Sequence, residues 1–141
     1  MTLSKIFKIS VALVCFSCLS GCGGQKSVEM GPAETVEEFS KAIAACQWDK
    51  AMELCDTVKM QNYINAYRDA VSKMEKEDEG AMKVAKTLLA STAVTVEDVH
   101  KHDDKRIVTY TIETDGLRKT RQATLRKEER EWRVEAITEG N

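Results

Sequence analysis

The hydrophobic period of this chain changes at Ser91, and that change limits what it can fold into. Before Ser91, apolar residues recur at helical spacing. Val36, Phe39, Ile43 and Cys46 follow one another at steps of three, four and three, with Glu37, Glu38 and Lys41 on the opposite side, the signature of an amphipathic helix. After Ser91 the period is two: Val108, Tyr110 and Ile112 fall on one side of an extended segment, and Ile107, Thr109 and Thr111 on the other. A chain that is helical first and extended second is expected to be α+β, with helices packed on one face of an antiparallel sheet.

Gly31-Pro32 opens the first helix, because proline suits the first helical position, and Thr35 with Glu38 offers an alternative start as a capping box. The helix should stop near Cys46-Gln47. A short second helix follows, with Trp48, Ala51, Met52 and Cys55 inward, and Asp56 and Thr57 mark the next boundary. The third helix carries the stripe Met60, Tyr63, Ile64, Tyr67, Val71 and Met74 and runs to about Glu79; its charged end reads as solvated. Residues 81–90 form a further helical segment, which Gly80 either breaks from the third helix or leaves continuous.

The extended half divides at turn signals. A strand containing Val94, Val96 and Val99 ends near His102, before Asp103-Asp104. The next runs from Lys105 to Thr114 and meets Asp115-Gly116, a strong hairpin signal because a type I′ turn requires positive φ at both central residues. A third strand shows Leu117, Lys119, Arg121, Ala123 and Leu125 on one face, and a fourth carries Trp132, Val134 and Ala136. The expectation is a curved four-stranded antiparallel meander with N-terminal helices packed on it.

The N-terminus carries a different kind of signal. Lys5 and Lys8 precede an apolar run from Ile9 to Leu19. At about 11 residues this run is too short for a membrane-spanning helix, which needs about 20, and it reads as a secretory signal. It ends in Leu19-Ser20-Gly21-Cys22, which resembles the lipobox of bacterial lipoproteins. The resemblance implies cleavage before Cys22, a diacylglycerol on its sulfur and acylation of the new amine. It also implies a lipid-anchored protein of the cell envelope, and Gly23 after the cysteine goes with the outer rather than the inner membrane in a Gram-negative cell. Residues 1–21 are then the signal peptide, residues 22–31 the lipidated cysteine and a Gly, Ser and Glu-containing tether reaching about 30 Å, and residues 32–139 a single domain.

Export organises charge and thiols too. The chain has 21 basic and 23 acidic residues; loss of Lys5 and Lys8 leaves 19 against 23, a net charge of −4, which argues against nucleic acid as a partner. Of five cysteines, Cys15 and Cys18 leave with the signal and Cys22 carries lipid. Cys46 and Cys55 remain, either paired as a disulfide or present as small buried apolar side chains.

The order of elements is itself recognisable. Glu34-Thr35-Val36-Glu37-Glu38-Phe39 with Ala42-Ile43, a tight corner into Trp48-Asp49-Lys50-Ala51-Met52, and a closing hairpin over 116–127 followed by Glu131-Trp132-Arg133-Val134 resemble small exported lipoproteins of the nuclear-transport-factor-2-like superfamily, over about residues 33–138. The resemblance implies a cone: a bent sheet around a long helix, with a pocket between sheet and helices. The superfamily includes isomerases and dehydratases. Cys46 departs from the pattern, since the corner favours glycine for its positive φ.

Candidate site residues follow. Tyr63, Tyr67, Tyr110 and Trp132 are expected inside the cone, as pocket residues or as core aromatics with satisfied hydroxyls. Arg118, Lys119, Arg121 and Arg126 are a candidate basic sheet face for anionic envelope material, or else complementary surface charge that protects an edge. His100 and His102 share a strand face where Asp103 or Asp104 could complete a Zn²⁺ site, although polar residues at a turn are ordinary, and no metal or other cofactor is expected. No nucleophile motif, phosphate loop or metalloprotease helix is present. The expected function is non-enzymatic: a lipid-anchored binding or assembly module meeting an envelope protein or glycan through its pocket or basic face. The alternative is a small-molecule pocket protein with isomerase-like activity. An open cavity of a few hundred Å³ reached by Tyr67 or Tyr110 favours the second.

Overall fold

The computed structural model describes residues 30–140. The signal sequence, the Cys22 lipidation site and most of the tether lie outside the described residues. Helices α1 (Pro32–Ala44), α2 (Trp48–Glu53), α3 (Gln61–Glu77) and α4 (Glu79–Ala90) precede strands β1 (Ala93–His102), β2 (Lys105–Thr114), β3 (Leu117–Glu128) and β4 (Glu131–Glu139). The strands form one antiparallel sheet in the order β1-β2-β3-β4. The expected α+β architecture is therefore present, in the order of elements that the resemblance implies. Among the described residues no helix is long and apolar enough to cross a membrane.

α1 begins at Pro32, and Thr35 lies inside the helix, with its hydroxyl donating to Gly31 O at 2.9 Å. Val36, Phe39, Ala42 and Ile43 are buried, and α1 packs across β1, β2 and β4. The core it closes contains Ile64 from α3 together with Val108, Tyr110, Ala123, Leu125 and Val134 from the sheet. α3 and α4 are two helices: the break falls at Asp78, whose carboxylate accepts from Ala81 N at 3.0 Å and caps α4. Gly80 is the second residue of α4 and breaks nothing. The α3 stripe is buried only over its first half; Met74 is exposed.

The corner after α1 closes as the resemblance requires. Cys46 has φ 57°, its N–H donates to Ile43 O at 3.1 Å, and Gln47 N–H donates to Ala42 O at 2.8 Å. This pair of bonds is a Schellman motif with a non-glycine residue in the left-handed position. A side chain there costs about 1–2 kcal/mol, and glycine returns part of that as unfolded-state entropy, about 0.4–1 kcal/mol. Cys46→Gly is accordingly expected to stabilise the domain by about 0.5–1 kcal/mol, measured as a raised urea midpoint at unchanged slope; a lowered midpoint would show that the Cys46 side chain contributes more than its backbone costs.

Two bulges shape the sheet. In β1 the register with β2 shifts between Val96 and Asp98, leaving Glu97 as the extra residue. In β4 it shifts where Leu125 faces Val134 and Thr124 faces Ala136, leaving Glu135 as the extra residue. Bulges bend a strand and re-aim its side chains. The second one corrects the expected β4 pattern: Trp132 and Val134 face the helices, but the residue that continues this face is Ile137, opposite Ala123, and Ala136 belongs to the other side. The free edge of β4 is covered by the segment after α2. Val134 N–H donates to Leu54 O at 3.0 Å, and Asp56 N–H donates to Val134 O at 2.8 Å, which satisfies an edge that would otherwise recruit another strand.

Candidate functional site

A cavity of about 450 Å³ lies between α1, α3, α4 and the end of the sheet nearest the β2–β3 hairpin. That hairpin turns on Asp115 (φ 51°) and Gly116 (φ 77°), the geometry its sequence demands. Burial increases along the inner face of β3. Leu117 and Lys119 are exposed, the Arg121 side chain is only 15% exposed, and Ala123 and Leu125 are fully buried. Leu117 thus marks the mouth and Arg121 the floor, separated by about 13 Å at the strand rise of roughly 3.3 Å per residue. Between them the wall is mainly apolar, with Ile43, Val71, Leu88, Leu89 and Ile112 contributing.

Alternation delivers Arg121 to this floor, because it shares a face with Ala123 and Leu125 and pairs with Tyr110 across the ladder. Its Nη1 donates to the hydroxyls of Tyr63 and Tyr67, each at 3.2 Å. The two phenols come one helical turn apart from α3, with ring centroids 5.1 Å apart. Arg121 Nε is buried and makes no hydrogen bond. The nearest carboxylate to it is Glu139, 3.7 Å away on a mostly exposed side chain. Burial, then the neighbouring Tyr67 phenol, pushes the Tyr63 pKa well up, against the opposing pull of Arg121, so this phenol is protonated at neutral pH.

Of the four aromatic residues expected at a pocket, Tyr63 and Tyr67 line the cavity and Tyr110 and Trp132 do not. Tyr110 is fully buried in the core, with its pKa pushed up to about 12 by burial. Ser40 and Arg121 lie close enough to oppose that shift, yet the Tyr110 hydroxyl has no partner in hydrogen-bond geometry. Trp132 stands opposite Lys127, far along the ladder from Arg121, stacked under Arg106 at 5.0 Å and Lys127 at 5.8 Å. Trp48 lines the cavity instead; it sits just past the tight corner, and only the direction of that corner sends it there.

The expected basic face is divided. Lys119 and Arg121 point toward the helices, whereas Arg118 and Arg126 occupy the opposite face by alternation. Arg118 pairs with Glu97 at 3.3 Å, and Arg126 approaches Glu135 at 3.8 Å and Asp104 at 4.0 Å. The four cations form no common surface. Cys46 and Cys55 are free thiols: Cys46 lines the cavity, while Cys55 is buried at the β4 edge with Sγ 3.7 Å from Met52 O. Burial raises the Cys55 pKa to about 11 and raises that of Cys46 too, so neither has the lowered pKa of a reactive thiol. His100 and His102 are exposed, and His100 Nδ1 is 3.4 Å from Asp98. Among the described residues no three His, Cys, Asp or Glu side chains gather as a metal site.

No protein-family model matches this chain, and no curated protein does. A solved structure of an NTF2-like protein of unknown function from Cytophaga hutchinsonii aligns with 77% of this chain and 88% of its own, at 11% identity and a TM-score of 0.37.

Proposed function

We propose that this chain is a lipid-anchored envelope protein, tethered through Cys22, whose domain holds a small, mainly apolar molecule in the cavity between helices and sheet. The observation that carries the reading is the cavity itself. Its volume of about 450 Å³ falls within the roughly 300–1,000 Å³ of small-molecule pockets, and its apolar wall with a few converging polar groups is the usual composition of such sites. A pocket of this size supports a small-molecule ligand more than contact through the expected basic sheet face, whose cations point to opposite sides.

Binding is a better account than catalysis. The polar groups at the floor are a guanidinium and two phenols. The raised pKa of Tyr63 makes it a poor base at neutral pH. Asp115, the carboxylate of the lining, sits at the exposed hairpin tip.

A full chain carrying Cys22→Ser, so that no lipid is attached, should bind the neutral fluorophore N-phenyl-1-naphthylamine saturably. Ala85→Trp, which fills the cavity from α4, should abolish that signal. Equal binding by the filled variant, or no saturable binding by the parent, would overturn the reading. The anchor is checked separately: labelled palmitate should enter the protein in growing cells and should fail to enter Cys22→Ser.

A further inference from the structure

We propose that the cavity takes an amphipathic carboxylate, with its head on the Arg121 guanidinium at the floor and its apolar tail directed past Leu88 and Leu89 toward Leu117. The proposal rests on the reading of the cavity as a small-molecule site and specifies the ligand.

Arg121 is the reason. A guanidinium keeps its charge at any physiological pH, and burying it without an anion is unfavourable. Arg121 is largely buried, yet its hydrogen bonds go to two neutral phenols. Its Nε has none, and Glu139 stands 3.7 Å off with a side chain 73% exposed to water. The fixed fork of donors on arginine matches the two oxygens of a carboxylate. The Tyr63 and Tyr67 hydroxyls, accepting from Nη1, hold the fork in place. The other charged groups of the lining, Lys119 and Asp115, are exposed near the mouth. The floor therefore carries one buried positive charge whose ion-pair partner, Glu139, lies 3.7 Å away on a side chain mostly in water; one carboxylate in the cavity matches that charge, whereas a phosphate dianion would bring a second charge into the same apolar surroundings. The apolar wall between floor and mouth then fits a hydrocarbon tail and leaves a polar-tailed acid without partners.

The test is displacement of N-phenyl-1-naphthylamine from the Cys22→Ser chain by decanoate, decanol and decyl phosphate. Decanoate should compete about tenfold or more strongly than decanol, as expected for a charge-assisted hydrogen bond in a buried site. It should also compete more strongly than decyl phosphate. In R121M the advantage of decanoate over decanol should vanish, each being compared by the fraction of that variant's own fluorophore signal it displaces. Equal competition by decanoate and decanol, an advantage that survives R121M, or stronger competition by decyl phosphate would each overturn the carboxylate assignment and leave the cavity reading standing. Absence of fluorophore binding would overturn both. If R121M does not fold, the comparison of the three ligands on the parent chain decides.

Discussion

Phe39→Ala is expected to destabilise the domain by about 3–5 kcal/mol, the range for deleting a buried aromatic side chain. Phe39 is 1% exposed on the inner face of α1, where the helix packs across the sheet, and its ring lies 6.1 Å from that of Tyr63. Truncation leaves a void next to the core and removes the support behind one wall of the cavity. Against a typical domain stability of about 5–15 kcal/mol, the loss is large enough to populate unfolded chain at room temperature. Val58→Ala is the matched control: Val58 is 83% exposed, and its removal should change stability by no more than about 0.5 kcal/mol. Urea denaturation of both variants checks the pair. A Phe39→Ala loss similar to that of Val58→Ala would mean that α1 does not close the core.

The second large effect is expected at Glu135. The β4 bulge turns this carboxylate onto the sheet face away from the helices, where its side chain is 6% exposed. It pairs there with Lys105 at 2.6 Å, Lys59 at 2.9 Å and Arg126 at 3.8 Å. Glu135→Gln keeps the shape and removes the charge, leaving the three cations to repel one another. The expected loss is about 1–3 kcal/mol, less than the roughly 3–5 kcal/mol for breaking a fully buried pair, because all three cations retain contact with water.

A pH signature accompanies this loss. Burial acts to raise the Glu135 pKa, but the hydrogen bonds from Lys105 and Lys59 outweigh it and hold the carboxyl below its ordinary value of 4.5. A carboxyl with a depressed folded-state pKa binds more protons when unfolded, so its contribution is complete above the unfolded value and is lost as pH falls through the folded one. Stability of the parent chain should therefore drop below about pH 4.5, and the drop should be smaller in Glu135→Gln. Thermal unfolding at about pH 7 and about pH 3.5 measures both; equal acid losses in the two proteins would exclude Glu135 as the source.

The architecture was legible because it is written in local periodicity. The switch at Ser91 separated helices from strands among the described residues, Asp115-Gly116 located a hairpin whose φ values require such residues, and the corner at Cys46 adopts the positive φ expected from the resemblance. These are one-dimensional signals: a helix face or a turn type depends on residues a few positions apart. The site was legible in part. Tyr63 and Tyr67 fell on the α3 stripe and do line the cavity, whereas Tyr110 and Trp132 satisfied the same residue-type argument and lie elsewhere. Arg121 was grouped with Arg118 and Arg126 by charge, although alternation with Ala123 and Leu125 already placed it on the apolar face. A cation in that pattern was the available signal for the cavity floor.

By itself the sequence determined the order and type of the described elements and, through Leu19-Ser20-Gly21-Cys22, the expectation of export and anchoring, because each rests on neighbouring residues or on a short motif. Only the tertiary structure decided which side chains meet. The bulge at Glu135 reverses the faces of Ala136 and Ile137, one free thiol lies at the cavity and the other at the β4 edge, and Arg121 from β3 meets two phenols from α3, 54 and 58 positions away in the chain. Contacts at that separation depend on how helices cross a twisted sheet and where a strand takes an extra residue, which no local pattern encodes.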